Sequence, residues 1–235
     1  MKKIIIASTS TLHNGGYLAY LLPELKTFFK GVSTLLFIPF ARPGGISHDD
    51  YTQQVRHAFA AIDIEVQGLH EFENQPQAIE QAQAVFTGGG NTFLLVKQLY
   101  DHGIIQPLIQ AVKNGTPYLG TSAGSNICGL TMETTNDMPI IYPPSFQTLG
   151  LVPFNINPHY LDPDPNSKHM GETRETRIRE FHQFNTQPVI GLREGSWLEV
   201  LGQQITLRGT LHARLFKQGQ TPQELAPETA LSNLN

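Results

Sequence analysis

Tyr118-Leu119-Gly120-Thr121-Ser122-Ala123-Gly124-Ser125-Asn126 is the stretch on which the reading of this chain turns. It starts as an apolar strand and passes into small residues that fit the frame G-x-S-x-G. In that frame a strand turns sharply into a helix and pushes the serine oxygen out at the top of the sheet. Small residues two before and two after the serine let the turn pack closely. The N–H that follows the serine can then point at a developing oxyanion, and the helix start adds its positive end. These residues make Ser122 a candidate nucleophile, with a helix-capping serine as the competing reading. Ser125 reads as a cap or packing residue. Cys128 reads as a buried, inert thiol.

Working upstream, a short apolar strand over 84–86 ends in a second glycine-rich turn, Thr87-Gly88-Gly89-Gly90-Asn91-Thr92. Its spacing fits neither a Walker loop nor G-x-G-x-x-G. Two readings stay open: a second oxyanion donor beside Ser122, or a tight turn with Asn91 or Thr92 capping the next helix. Residues 4–7, 35–38 and 62–66 read as further strands. Residues 18–29 read as a helix, with Pro23 a kink or restart. Val55, Ala58, Phe59 and Ile62 follow helical spacing, as do Leu95 and Leu99, then Ile104, Leu108, Ile109 and Val112. Asn114-Gly115 stops the last of these. Alternating strands and helices predict an α/β fold with a mostly parallel, doubly wound sheet. Burial on both faces explains the continuous apolar strands. Ligands of such sheets sit beyond the carboxyl ends of the strands, where both glycine-rich turns fall.

Downstream, residues 136–171 read mostly as loop, rich in Pro, Asn and Asp. A helix is expected over 172–184. Short strands are expected over 189–192, 197–201, 204–207 and 211–216, with a hairpin turn at Gly202-Gln203. The tail after Gly219 reads as peripheral, and no linker divides the chain.

Composition narrows the partners. The chain has 235 residues, a formal net charge of −4 and 15% charged residues, against a usual share of about 25%. Without a basic excess, nucleic acid and anionic membrane are poor partners. The single Cys128 excludes an intramolecular disulfide and a cysteine zinc cluster. The first apolar run is too short for a signal peptide and none reaches the ~18 residues of a membrane span. A cytoplasmic protein is expected.

A serine nucleophile needs a base and a group to orient it. Among nine histidines, His159 has the best context, in Asn157-Pro158-His159. His169 lies in the same loop region, and His182 reads as a surface residue on the late helix. His159, Asp162, Asp164 and His169 form a loose cluster without the spacing of a helical metal site, so no metal is expected. Arg174, Ile178 and Phe181 share a helix face, which turns Arg174 inward. Its partner is Glu172 or Glu175, or an acidic group of a substrate. Glu194 alone reads as a turn carboxylate.

Six motifs in order resemble the aspartyl dipeptidase (peptidase E) family over nearly the whole chain. They are Gly88-Gly89-Gly90-Asn91-Thr92-Phe93, Ser122-Ala123-Gly124, Thr134-Thr135-Asn136-Asp137-Met138-Pro139-Ile140, Asn157-Pro158-His159, Gly171-Glu172-Thr173-Arg174-Glu175 and Gly191-Leu192-Arg193-Glu194-Gly195. The resemblance implies a flavodoxin-like, class I amidotransferase-like fold with a nucleophile elbow and a C-terminal group of short strands. It implies one peptidase domain over 1–235, and monomer and homodimer both stay open. By the same resemblance Ser122, His159 and Glu194 form a Ser-His-Glu triad, and the N–H groups of Gly90 and Ala123 form the oxyanion hole. Arg174 recognises an N-terminal aspartate, and Asp137 and Asn91 lie on the substrate side. The implied substrate is an Asp-Xaa dipeptide, with no cofactor or metal. The alternatives are a cyanophycinase-like hydrolase and a non-enzymatic or metal-dependent metabolite binder.

Overall fold

A computed structural model describes residues 1–163, 166 and 171–234. The described residues form eleven strands, in chain order. They are β1 Lys3–Ala7, β2 Thr34–Ile38, β3 Glu65–Gly68, β4 Val85–Thr87, β5 Tyr118–Thr121 and β6 Asn155–Pro158. The rest are β7 Val189–Leu192, β8 Ser196–Leu201, β9 Gln204–Gly209, β10 Ala213–Phe216 and β11 Gln223–Leu225. The helices are α1 Leu22–Phe28, α2 His48–Ala60, α3 Gln75–Gln81, α4 Thr92–Asp101, α5 Ile105–Asn114, α6 Ala123–Asn126 and α7 Arg174–Phe181.

The larger sheet has the order β3-β2-β4-β5-β1-β8-β9. Its first five strands are parallel, and β8 and β9 join antiparallel. Side chains alternate across it, so one strand feeds two cores. Ile4, Ile6, Leu36 and Ile38 pack with α3, α4 and α5. Ile5, Ala7, Leu35 and Phe37 pack with α1 and α2. Both faces are covered at the centre of the sheet, which is why residues 4–7 and 35–38 read as continuous apolar runs. The result is the mostly parallel, doubly wound α/β sheet that the strand–helix alternation predicts.

A second sheet, β11-β10-β7-β6, holds the short C-terminal strands. Its β6–β7 pair is parallel, with Pro158 opposite Leu192. Ile156, Ile190, Leu192, Ala213 and Leu215 join the core beneath the larger sheet, while Val189 and Phe216 pack with Ile178 of α7.

Several boundaries differ from expectation for local reasons. The helix expected over 18–29 is confined to α1: Leu18 sits at φ 57°, and Pro23 falls in the first turn, where its missing N–H costs nothing. The strand expected over 62–66 starts later because α2 ends in a turn through Ile62 and Asp63, the latter at φ 59°. Helix α3 has a weak apolar pattern and is set by its cap, Asn74, which accepts the Gln77 N–H. Strand β6 lies inside the segment read as loop. Helix α7 begins at Arg174 because Thr173 caps it, accepting the Thr176 N–H. The tail is not peripheral: β11 pairs with β10, Leu231 is buried and its N–H donates to Ile205 O.

Candidate active site

The carboxyl ends of β4, β5, β6 and β7 meet at one crevice. Ser122 follows β5 at φ 54°, ψ −112°, a conformation that L-residues adopt at a cost of about 1–3 kcal/mol. The surroundings hold it there. A Cβ on Gly120 would come within 2.3 Å of Gly124 O, and one on Gly124 within 2.1 Å of Thr87 O. The turn therefore closes only with glycine at both places. The Ser122 N–H donates to Ala7 O at 3.3 Å. Ser125 is not a cap: its Oγ lies 2.6 Å from Ala7 O and 2.8 Å from Gly120 O, between β1 and β5.

His159 and Glu194 are brought together by register. Pro158 and Leu192 are paired at the ends of β6 and β7, so the residues just beyond them share one rim. Ser8 fixes the histidine: its hydroxyl donates to Leu192 O at 2.6 Å and accepts the His159 N–H at 2.9 Å. His159 itself is at φ 52°. Its Nδ1 lies 2.6 Å from Glu194 Oε1 and its Nε2 lies 2.8 Å from Ser122 Oγ. An ionised carboxylate only accepts, so Nδ1 carries the proton and Nε2 is left to accept the serine O–H.

The glycine turn after β4 runs alongside. A Cβ on Gly89 would fall 2.8 Å from Ser122 Cβ. Gly90 is at φ 147°, and a Cβ there would fall 2.2 Å from Ala41 O. The neighbouring N–H groups are used: Gly88 donates to Ile38 O, Asn91 to Ala41 O, and Gly89 to the Tyr51 hydroxyl. Among the described residues, the N–H groups of Gly90 and Ala123 have no acceptor. Asn91 is spent elsewhere. Its Oδ1 accepts the Leu94 N–H as the cap of α4, and its Nδ2 donates to Met138 O. These bonds give Asn91 a capping and loop-tying role.

A cavity of about 400 Å³ opens onto these groups, lined among others by Thr92, Thr135, Asp137, Leu161 and Arg174. That is near the low end of the ~300–1,000 Å³ typical of ligand sites. Arg174 enters it from the first turn of α7. Neither suggested partner takes it: Glu172 pairs with Arg177, and Glu175 with Arg179 and Arg214. Among the described residues Arg174 has no ion pair. Burial draws its guanidinium below the usual range, Arg177 adds to this, and Asp137 opposes it. The Asp137 carboxylate is gripped on one side, where Oδ2 accepts from the Thr92 N–H (2.7 Å), the Thr92 hydroxyl (2.6 Å) and the Thr135 hydroxyl (3.1 Å). Its Oδ1 has no protein donor among the described residues.

Of the loose metal-ligand cluster, Asp162 is taken by Arg193, and Asp164 and His169 lie outside the described residues. His182 is buried, not on the surface, with Nε2 at 2.9 Å from Gln187 O. Cys128 is buried, and desolvation pushes its thiol well above the ordinary range. Ser8 holds the site yet carries no sequence signal of its own, while Thr92 and Thr135 lie in motifs quoted above whose grip on Asp137 sequence reasoning missed. The partners of Ser8 lie more than 150 residues away, and Thr92 reaches Asp137 from 45 residues away.

A hydroxyl, an imidazole and a carboxylate in one hydrogen-bonded line, at the carboxyl ends of parallel strands, are the arrangement of a serine hydrolase. The comparisons carry this further. The model of peptidase family S51 matches residues 4–208. The chain is 50% identical to "Peptidase E" of Streptomyces coelicolor over 231 residues, 98% of this chain and 94% of that protein. It is 45% identical over 236 residues to the Drosophila melanogaster protein named "Probable alpha-aspartyl dipeptidase", covering 99% of this chain and 97% of that one. A solved peptidase from an acI-B1 actinobacterium has a TM-score of 0.74 over 98% of this chain and 96% of its own. At 16% identity that likeness speaks to the fold. The chain belongs to peptidase family S51, and it is a serine hydrolase.

Proposed function

We propose that this enzyme is a dipeptidase that removes an N-terminal aspartate, using Ser122 as nucleophile, His159 as base and Glu194 as orienting acid. His159 Nε2 takes the Ser122 proton as Oγ attacks the peptide carbonyl. The N–H groups of Gly90 and Ala123 receive the oxyanion, each contributing about 2.7–4 kcal/mol. His159 then hands its proton to the leaving amine, which departs as the second amino acid. Water, deprotonated by the same imidazole, attacks the aspartyl ester and releases free aspartate. Glu194 holds the tautomer and stabilises the imidazolium.

Arg174 pairs with the aspartate side chain. Asp137, held by Oδ2 with Oδ1 unspent, receives the free α-ammonium. Two fixed charges of opposite sign thus read the two charged ends of an N-terminal aspartyl residue. The observation that carries the proposal is the guanidinium of Arg174. It faces the same cavity as Ser122 and His159, and no described carboxylate neutralises it.

The test is initial rates on Asp-Leu, Glu-Leu, Asn-Leu and N-acetyl-Asp-Leu. Asp-Leu is expected to be turned over far faster than the other three. Comparable rates on the acetylated peptide would remove Asp137 from ammonium recognition, and comparable rates on Asn-Leu would remove Arg174 from specificity. A cytoplasmic location belongs to the same proposal, with cell fractionation as its test.

A further inference from the structure

Arg193, beside Glu194, is the most fully bonded side chain near the site. All five of its N–H donors are spent. Nε and Nη2 fork onto Asp162 at 2.8 and 2.7 Å. Nη1 and Nη2 fork onto Glu224 at 2.8 and 3.0 Å. The last donates to His212 O at 2.7 Å. The guanidinium also lies over the Tyr160 ring, 5.6 Å from its centroid. Only 16% of its side chain is exposed.

These partners matter by position. Tyr160 and Asp162 belong to the segment leaving His159, His212 precedes β10, and Glu224 lies on β11. A second guanidinium, Arg214, bridges Glu224 at 3.0 Å to Glu175 at 2.9 Å, and Glu175 follows Arg174 on α7. The bond between His159 and Glu194 spans two separate segments. Among the described residues, backbone pairing ends at the Tyr160 N–H to Leu192 O, and beyond it the Arg193–Asp162 fork ties those segments together.

We propose that Arg193 is a positioning residue. By clamping the segment after His159 to the end of β7, it holds the Glu194 carboxylate and the His159 ring in hydrogen-bond register. The proposal rests on the triad reading above. A planar fork with five donors is needed, and a lysine ammonium offers three donors and no fork. Small misplacement of a base is costly, since about 1 Å can lose on the order of 10²-fold in rate.

The test uses Arg193→Met, Arg193→Lys and Asp162→Asn in the full chain, with Arg208→Met as control. Arg208 makes a comparable double pairing, with Glu199 and Glu228, away from the cavity. The readouts are kcat and KM on Asp-Leu, the thermal midpoint, and the low-field proton resonance of the His159–Glu194 bond, assigned by its loss in Glu194→Gln. Arg193→Met should lower kcat by roughly 30-fold or more with KM within about twofold, the pattern of a lost transition-state interaction. The low-field resonance should weaken or vanish below the unfolding temperature, and Arg193→Lys should restore little. Arg208→Met should cost stability but leave kcat and the resonance intact. Unchanged kcat and an intact resonance in Arg193→Met would overturn the proposal, as would an equal kcat loss in Arg208→Met. If Arg193→Met fails to fold, Asp162→Asn decides by the same two readouts. Should Ser122→Ala retain full turnover, the triad reading fails, while the resonance still judges Arg193.

Discussion

Replacing Arg174 by methionine separates recognition of the substrate from the chemistry. The guanidinium enters the cavity from the first turn of α7, and no described carboxylate pairs with it. Its removal therefore breaks no ion pair, and the fold should keep its stability. A hydrogen bond to a charged group contributes about 1.5–3 kcal/mol, and a forked pair contributes two. Arg174 is half-buried, so solvent screening favours the low end, about 3 kcal/mol in all. That corresponds to roughly 150-fold in kcat/KM. Asp137 adds to the selectivity, because without Arg174 it repels the substrate carboxylate. The assay is kcat/KM on Asp-Leu and Asn-Leu for wild type, Arg174→Met and Arg174→Lys. Asp-Leu should fall by about 150-fold in Arg174→Met and Asn-Leu by less than about threefold, with the lysine variant between. Equal losses on the two substrates would refute the pairing.

Three further outcomes are expected. Ser122→Gly should be inactive yet more stable than Ser122→Ala by about 1 kcal/mol, because glycine tolerates φ 54°; calorimetry should show a midpoint about 2–4 °C higher. Glu194→Gln should lower kcat on the order of 10²- to 10⁴-fold with little change in KM, since the amide cannot stabilise the imidazolium. Hydrogen bonds from Arg193 hold the carboxyls of Asp162 and Glu224 below the ordinary carboxylate range. A depressed folded pKa adds stability that is present above the unfolded value, near pH 4, and is lost as the pH falls through the folded one. Thermal midpoints should therefore drop on acidification below about pH 4, and Arg193→Met should flatten that slope.

The parallel half of the fold was legible because its signals are local. Strands buried on both faces read as continuous apolar runs, and Gly115, at φ 112°, closes α5 where Asn114-Gly115 marks a stop. The nucleophile turn was legible because its small-residue frame is contiguous in sequence: Gly120 is forced by contact with Gly124, although Gly124 itself is forced by Thr87, from the end of β4. Helix α3 and strand β6 were not. One is set by an asparagine cap, and the other by pairing with β7, more than thirty residues on. Glu194 shows the limit most clearly. From its neighbours it is a turn carboxylate, and only the β6–β7 register carries it to His159. Arg174 was placed inward by helical spacing, but the loss of Glu172 and Glu175 to other arginines appears only in three dimensions.

The measurement that bears most directly on the account is hydrolysis of Asp-Leu by Ser122→Ala, with circular dichroism on the same sample. The account predicts a wild-type spectrum and turnover at the background of the assay. A folded Ser122→Ala enzyme that still releases aspartate at a substantial fraction of the wild-type rate would contradict it.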